Sequence, residues 1–518
     1  MMSIADDATY RKHRSFGGKS QAIELCLTAL VFASVGAVTW AIRGTTGWDG
    51  VDGTIVPGFT WGLLWYYVCQ RKGIDARGIP LWLGLGIALG GELGYGQYVS
   101  WIRGQFATRD GAIPISPWLG YAWFMVCGIG WGAPGGIVLG WALHSKVTRK
   151  YWAFRSLLFI ALLFLLFNSA FIDWLGARFV HLCPRLLFPN ATTVNYSDAL
   201  DNHLGRTIYT NTQNACVLAW WCLAMLCAAL HKDRFTLTAG TIIGGGFGLA
   251  FPISALWCLG YVNHPGYIDW WKMWELNAGV YLGILYVLVL YWSIRHVDPS
   301  CNTQSPTSEA SDLDSKRPGL GPWSQAIFAG LGVYLFTTCT FSEHFQWTGI
   351  LLGLFYLLCT LLATRRSIRE HDTGNALQEL QCRVSIIYST FLLLFILLHG
   401  GSSKIGAFLK IYDIGEMDQY GWPPGRILLF SIPAAFVTML TLVIMARALY
   451  SSSSRQHGYA RLPERMIDLI ALICVIGILT IWPSQIAGLY AALTGLAIAS
   501  FTRLNRHFDK IDATTTFE

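Results

Sequence analysis

Apolar stretches long enough to cross a bilayer recur along this chain, and that recurrence limits what it can fold into. A transmembrane helix takes ~20 largely apolar residues at 1.5 Å rise each. Windows of that length fall near 22–42, 55–70, 79–101, 117–143, 152–173, 213–230, 237–261, 274–294, 323–342, 346–364, 383–400, 426–446, 465–482 and 484–502. Fourteen crossings are therefore expected. Composition agrees, since 53% of the 518 residues are apolar and only 13% are charged, against ~25% charged in a soluble domain. These values exclude a water-soluble enzyme, a disordered chain and a disulfide-stapled secreted scaffold. The expected fold class is all-α, a polytopic helical bundle embedded in lipid.

The cations set the expected orientation. With residue 1 inside, 27 of the 37 Lys and Arg fall in cytoplasmic tails and loops, and 10 fall in outer loops. That bias follows the positive-inside rule and fits an even number of crossings with both termini cytoplasmic, in the plasma (cell inner) membrane. The net charge of +7 is spread over short loops. It reads as topology and anionic-lipid contact rather than as a nucleic-acid patch. The first apolar run follows some twenty polar, basic residues and ends at Trp40-Ala41-Ile42-Arg43 without a small-residue cleavage site, so an uncleaved first span is expected. Of thirteen cysteines, only Cys183 lies well inside an outer loop. No CxxC or HxxxH occurs, so neither a disulfide framework nor a dedicated metal site is expected.

The sequence divides into a cytoplasmic tail (1–21), an eight-helix bundle (22–295), a linker rich in Ser, Thr, Pro and Asp (296–321), a six-helix bundle (322–503) and a second cytoplasmic tail (504–518). The first bundle is dense in Gly and Trp, with 19 of the 23 Trp in residues 1–300. Glycine permits close helix approach and broken helices in lipid, so the working half is expected there. A faint internal similarity runs through it. Gly86 to Gly94 and Gly240 to Gly248 both match G-x-x-x-G-G-x-x-G. Trp123 to Gly128 and Trp274 to Gly279 follow at similar spacing. A parallel four-plus-four repeat is the corresponding expectation.

Glu92 is the sharpest single residue. It falls about midway along the third stretch among Gly90, Gly91 and Gly94. An ionised carboxylate there costs ~2.5–3.5 kcal/mol on insertion scales, so it is expected to face a cavity, a cation or a proton. Tyr95, Gln97 and Trp101 continue a polar outer half of the same stretch. Arg43 ends the first stretch. Asp49 and Asp52 lie in the glycine-rich loop after it, where carboxylates can accept hydrogen bonds or act as bases. Trp274, Glu275 and Asn277 open the eighth stretch behind a Trp-rich loop. A helix interruption is expected in the fourth stretch at Pro134, because proline removes a backbone donor.

Two functions fit. The first is a secondary, ion-coupled transporter for a small polar solute, using H⁺ or Na⁺. Its site would lie near the midplane around Glu92 and draw on Tyr95, Gln97, Trp101, Arg43, Trp274, Glu275 and Asn277. The second is a membrane-embedded transferase taking a lipid-linked sugar or acyl donor at the outer face, with Asp49 and Asp52 catalytic. No Walker loop or dinucleotide fingerprint is present, so no cofactor is expected.

Overall fold

The computed structural model describes residues 18–43, 51–72, 79–108, 111–144, 147–182, 202–296, 462–481 and 485–515, with Ile386, Met439 and Val443 as single residues. Helix dominates. In chain order the helices are α1 (Gly18–Arg43), α2 (Val51–Arg71), α3 (Ile79–Gly90), α4 (Gly96–Ile102), α5 (Pro117–Leu143), α6 (Arg149–Phe167), α7 (Ser169–Leu182), α8 (Asn202–Leu230), α9 (Arg234–Asn263), α10 (Trp270–His296), α11 (Leu462–Ile481) and α12 (Ile486–Thr515). Seven of them, α1, α5, α6, α8, α9, α10 and α12, are long and apolar enough to cross a membrane. This is the architecture of an α-helical integral membrane protein. The stretches expected near 323–342, 346–364, 383–400 and 426–446, and the linker, otherwise lie outside the described residues.

One departure from all-α is small. Between α4 and α5 the chain forms an antiparallel hairpin of β1 (Gln105–Thr108) and β2 (Gly111–Pro114), with Gln105 opposite Pro114. The segment between the stretches expected at 152–173 and 213–230 is described only at its two ends. Both are helical, through α7 and the first turns of α8.

Glycine placement explains how the helices meet. On α5, Gly128, Gly132, Gly136 and Gly140 recur every fourth residue and so share one face. A Cβ added at each would lie 2.7 Å from Phe247 O, 2.5 Å from Ile243 O, 2.6 Å from Ala239 O and 2.4 Å from Thr236 Cα, all backbone atoms of α9. The two backbones therefore touch along four turns, the small-residue contact that substitutes for a hydrophobic driving force in lipid. A second crossing is reciprocal. Gly36 of α1 and Gly279 of α10 each sit against the other's carbonyl, and Gly283 sits against Phe32 O. Beyond their first turns, α6 and α8 turn large apolar residues outward, among them Leu157, Ile160, Phe164, Leu223, Leu226 and Leu230. That surface suits hydrocarbon.

The interruption expected at Pro134 does not occur. α5 runs unbroken from Pro117 to Leu143 with Pro134 inside it. Close contact with α9 on one side and α3 on the other, where Gly86 meets Gly135 and Pro134 O, holds the helix through the missing donor. The break falls one element earlier. The third stretch is not one helix, because α3 stops at Gly90 and α4 begins at Gly96. The matching glycines of α9 behave differently. Gly240–Gly245 form a π-helical turn and the chain stays helical. The Trp221 indole donates to Gly240 O at 3.2 Å, supplying a partner at the irregular turn.

α11 and α12 pack on the N-terminal helices. Tyr490 donates to Val38 O of α1. Tyr67 of α2 donates to Asn505, and Arg71 pairs with Asp509 at 2.6 Å. α12 therefore runs along α1 and is fastened to the end of α2.

The glycine stripe makes a direct prediction. Gly132→Leu should lower the melting temperature of the purified protein, since overpacking a tight core costs ~1–3 kcal/mol. Gly245→Ala should melt like the parent, because nothing lies within 4 Å of its added Cβ. Equal melting of both variants would refute the contact as described.

Candidate functional site: a broken helix among aromatic and amide side chains

The break at 91–95 is the centre of the site. Glycine costs ~1 kcal/mol per helical position relative to Ala, and Gly90, Gly91 and Gly94 cluster here. Gly90 also lets the chain press against α5, since a Cβ there would meet Trp131 O at 2.4 Å. The first freed groups close a turn, with Gly91, Glu92 and Leu93 N–H donating to Ala88, Leu89 and Gly90 carbonyls. The carbonyls of Leu93 and Gly94 are captured by side chains from other helices. Trp131 Nε1 donates to Leu93 O at 3.0 Å, and Asn214 Nδ2 donates to Gly94 O at 3.0 Å. Cys127 Sγ lies 3.6 Å from Gly94 O. Such capture is what lipid demands of any unwound backbone.

Glu92 stands in this turn, partly exposed, not within a helix as expected. Its charge acts on the Tyr209 hydroxyl of α8, as does that of Asp173 on α7. Gln97 and Tyr98 of α4 both donate to Asn211 Oδ1, at 3.3 and 2.7 Å, and Asn214 donates to Tyr98 OH at 3.1 Å. Gln213 donates to Leu166 O at 3.1 Å. The run Thr210, Asn211, Thr212, Gln213 and Asn214 is buried throughout. Two acceptors in it, Thr212 Oγ1 and Asn214 Oδ1, are enclosed without a donor among the described residues. Thr210, Asn211 and Thr212 fall just before the stretch expected at 213–230 and Gln213 and Asn214 open it, and none was singled out as a site residue. The available signal was their neutrality, since uncharged polar side chains can continue a helix where charged ones rarely do.

Tyr95 lies inside a ring of aromatic groups. Its centroid is 4.9 Å from Trp274, 5.7 Å from Trp131, and 5.8 Å from both Phe251 and Trp271. Three of the four pairs are steeply inclined, the arrangement ring quadrupoles favour. Trp274 is 1% exposed, and its indole N–H has no acceptor among the described residues. Trp101 is also fully buried, against Tyr98 and Phe106, with its N–H likewise unmatched.

Glu275 is 1% exposed and pairs with Lys272, itself 6% exposed. Trp271 Nε1 donates to the other Glu275 oxygen at 2.9 Å, and Lys272 Nζ donates to Ala41 O at 3.2 Å. Charge and hydrogen bonds are thus matched, as a buried pair requires. The N-terminal cap of α10 is Asp269, which accepts from Trp271 and Lys272 N–H. Glu275 does not serve as that cap.

Of the residues expected at the site, Tyr95 and Trp274 are in contact and Glu275 joins them through Trp271. Gln97 and Trp101 share α4. Asn277 is half-buried one turn further along α10. Arg43 and Asp52 fall at the end of α1 and in the first turn of α2, and Asp49 lies outside the described residues.

Two further polar centres were not anticipated. Glu24 of α1 is buried, pairs with Lys72 at 2.9 Å and accepts from Tyr291 OH at 2.6 Å. Asp233, 0% exposed, caps α9 through Thr236 N–H at 3.0 Å. It also accepts from Tyr151 OH and Arg155 Nη2, both at 2.7 Å, and His144 Nδ1 stands 3.6 Å away. Burial alone would raise the Asp233 carboxyl, but Arg155, His144 and the Thr236 hydrogen bonds outweigh it and hold the carboxyl below its ordinary value. No group of three or more His, Cys, Asp or Glu arranged for a metal ion occurs among the described residues.

No protein-family model matches the chain, and no curated protein matches it. Among solved structures, the Eremococcus coleocola manganese transporter, in complex with an aromatic bis-isothiourea substituted compound, aligns with 95% of this chain and 97% of its own. Identity is 12% and the TM-score 0.15, a score that carries no argument about a shared fold.

The Asp233 centre yields a pH prediction. A depressed carboxyl stabilises the fold above its unfolded pKa, ~3.9, and loses that contribution as pH falls through its folded value. Asp233→Asn leaves Arg155 buried without its counter-charge, which costs ~3–5 kcal/mol. Its melting temperature should fall well below the parent's at pH 7, and the gap should narrow as pH drops below ~4. A gap that is constant across that range would count against the ion pair.

Proposed function

We propose that this protein is a secondary transporter for a small polar solute, coupled to H⁺ or Na⁺ through Glu92. The observation that carries the reading is the helix break. An acidic residue sits in an unwound turn of a membrane bundle, and side chains of two other helices hold the exposed carbonyls. Interrupted helices are the usual site-builders in secondary transporters, and an intramembrane carboxylate is a functional-site candidate by default. Gln97, Tyr98, Asn211 and Asn214 supply neutral polar groups, which suit a polar solute that must enter and leave. Tyr95 at the end of the unwound turn, with Trp274 and Glu275 of α10, lines the same region. In this reading the chain crosses the plasma membrane fourteen times with both termini cytoplasmic, and the first eight spans descend from a parallel four-plus-four duplication. The differing backbones of the two glycine motifs suit halves that have diverged, one to bind and one to pack.

Reconstitution into liposomes tests the coupling. The parent protein should accumulate its solute under an imposed proton or sodium gradient. Glu92→Gln should exchange solute across the membrane yet lose gradient-driven accumulation by at least about tenfold, the scale of one lost charge interaction. Accumulation with unchanged ion dependence in the variant would rule out Glu92 as the coupling group.

A further inference from the structure

The rings around Tyr95 point to a substrate class. We propose that Trp131, Phe251, Trp271 and Trp274 form a cage for a fully alkylated ammonium group bearing an oxygen acceptor, and that Tyr95 occupies this cage as a removable plug. The proposal takes the helix break as the solute site argued above.

Three observations converge. First, the geometry is that of a cation cage. A cation is attracted to an aromatic face within ~6 Å of its centroid, and several faces together recognise quaternary ammonium groups. The Tyr95 centroid lies between 4.9 and 5.8 Å from four rings contributed by α5, α9 and α10. An ammonium placed where that ring now sits would be within range of all four. Second, the plug stands outside any helix. Tyr95 ends the non-helical stretch after α3 and stands before the first residue of α4, with φ −150° and ψ −7°. Its four neighbours are on long helices. Third, the Trp274 indole N–H is enclosed among these rings with no acceptor among the described residues. A buried donor left unmatched costs ~1–3 kcal/mol, and an oxygen on the ligand would match it.

The charges around the cage allow this. Lys272 at its edge is neutralised by Glu275, so that pair adds no net charge beside it. Glu92, three residues before the plug, places a carboxylate in the same non-helical turn. A fully alkylated ammonium has no N–H to satisfy, so aromatic faces suffice for its charged end. An ammonium carrying hydrogens would need acceptors that these four rings do not provide.

Calorimetric titration of the purified full-length protein in detergent tests the proposal, with choline, betaine, tetramethylammonium and 3,3-dimethyl-1-butanol as probes. Choline or betaine should bind, and the uncharged butanol, which has choline's shape, should bind at least about tenfold more weakly. Trp274→Phe keeps an aromatic face, though a weaker one for a cation, and removes the N–H. It should weaken choline about five- to tenfold, and tetramethylammonium, which has no oxygen to meet that N–H, clearly less. Tyr95→Ala removes the plug and should tighten choline about fivefold, because the competent state no longer has to be opened. Absence of choline and betaine binding in both the parent and Tyr95→Ala overturns the cage. So does equal affinity for choline and the butanol, or choline affinity unchanged in Trp274→Phe. Should Tyr95→Ala fail to elute as a single species, the butanol comparison and Trp274→Phe still decide. Ammonium binding without any ion-coupled uptake would leave the cage standing and remove the transport reading. Glu92-dependent uptake of another solute without ammonium binding would do the reverse.

Discussion

Every backbone group that leaves a helix inside hydrocarbon must be met by another protein group, because no water is there to meet it. The unwound turn after α3 exists on those terms. Trp131 reaches Leu93 O from α5, and Asn214 reaches Gly94 O from α8. Both donors are in place only because α5 lies against α3 at Gly90 and α8 presents a buried polar face. The glycines of α5 do more than fill space, since they bring Trp131 to the depth at which its indole meets the break. The π-helical turn of α9 obeys the same rule with one donor, Trp221. Tryptophan, abundant in this half of the chain, serves here as a long hydrophobic arm with a single N–H at its end.

The polar centres sit at different heights and do different work. Asp233 with Arg155, Tyr151 and Thr236 closes one end, where α5, α6 and α9 meet. Glu24 with Lys72 and Tyr291 ties α1 to α2 and α10. Lys272 with Glu275 sits where α10 meets the end of α1. Each is a buried charge with its counter-charge, costly to form and costlier to leave half-made. Between them the break holds neutral amides and hydroxyls together with Glu92. Paired charges tie the surrounding helices together, and neutral amides and hydroxyls surround the break.

Much of this was legible in the sequence, and the parts that were not have physical reasons. Apolar length marks helices well, because the bilayer imposes it. Glu92 stood out because a carboxylate in an apolar window is expensive. The break was assigned to the wrong element, since Pro134 signals a lost donor but not whether neighbouring backbones hold the helix regardless. Local sequence carries no information on the contacts of Gly128, Gly132 and Gly136. The amide run on α8 straddles the start of the stretch expected at 213–230, because a hydropathy window scores Asn and Gln by their preference for water. Buried against Gln97, Tyr98 and Gly94, Asn211 and Asn214 find hydrogen-bond partners in the protein instead. Glu24 and Lys72 are 48 residues apart, and only packing reveals such a pair.

The packing of α12 along α1 bears on how the protein is made. Tyr490 and Val38, which meet in the finished molecule, are separated by 452 positions. Synthesis is directional, and membrane helices enter the bilayer roughly as they emerge from the ribosome. The face of α1 that α12 covers therefore waits until the 452 positions separating Val38 from Tyr490 have been made. Until then nothing from α12 shields it, so the contact that fastens the first described helix to the last is among the latest to form.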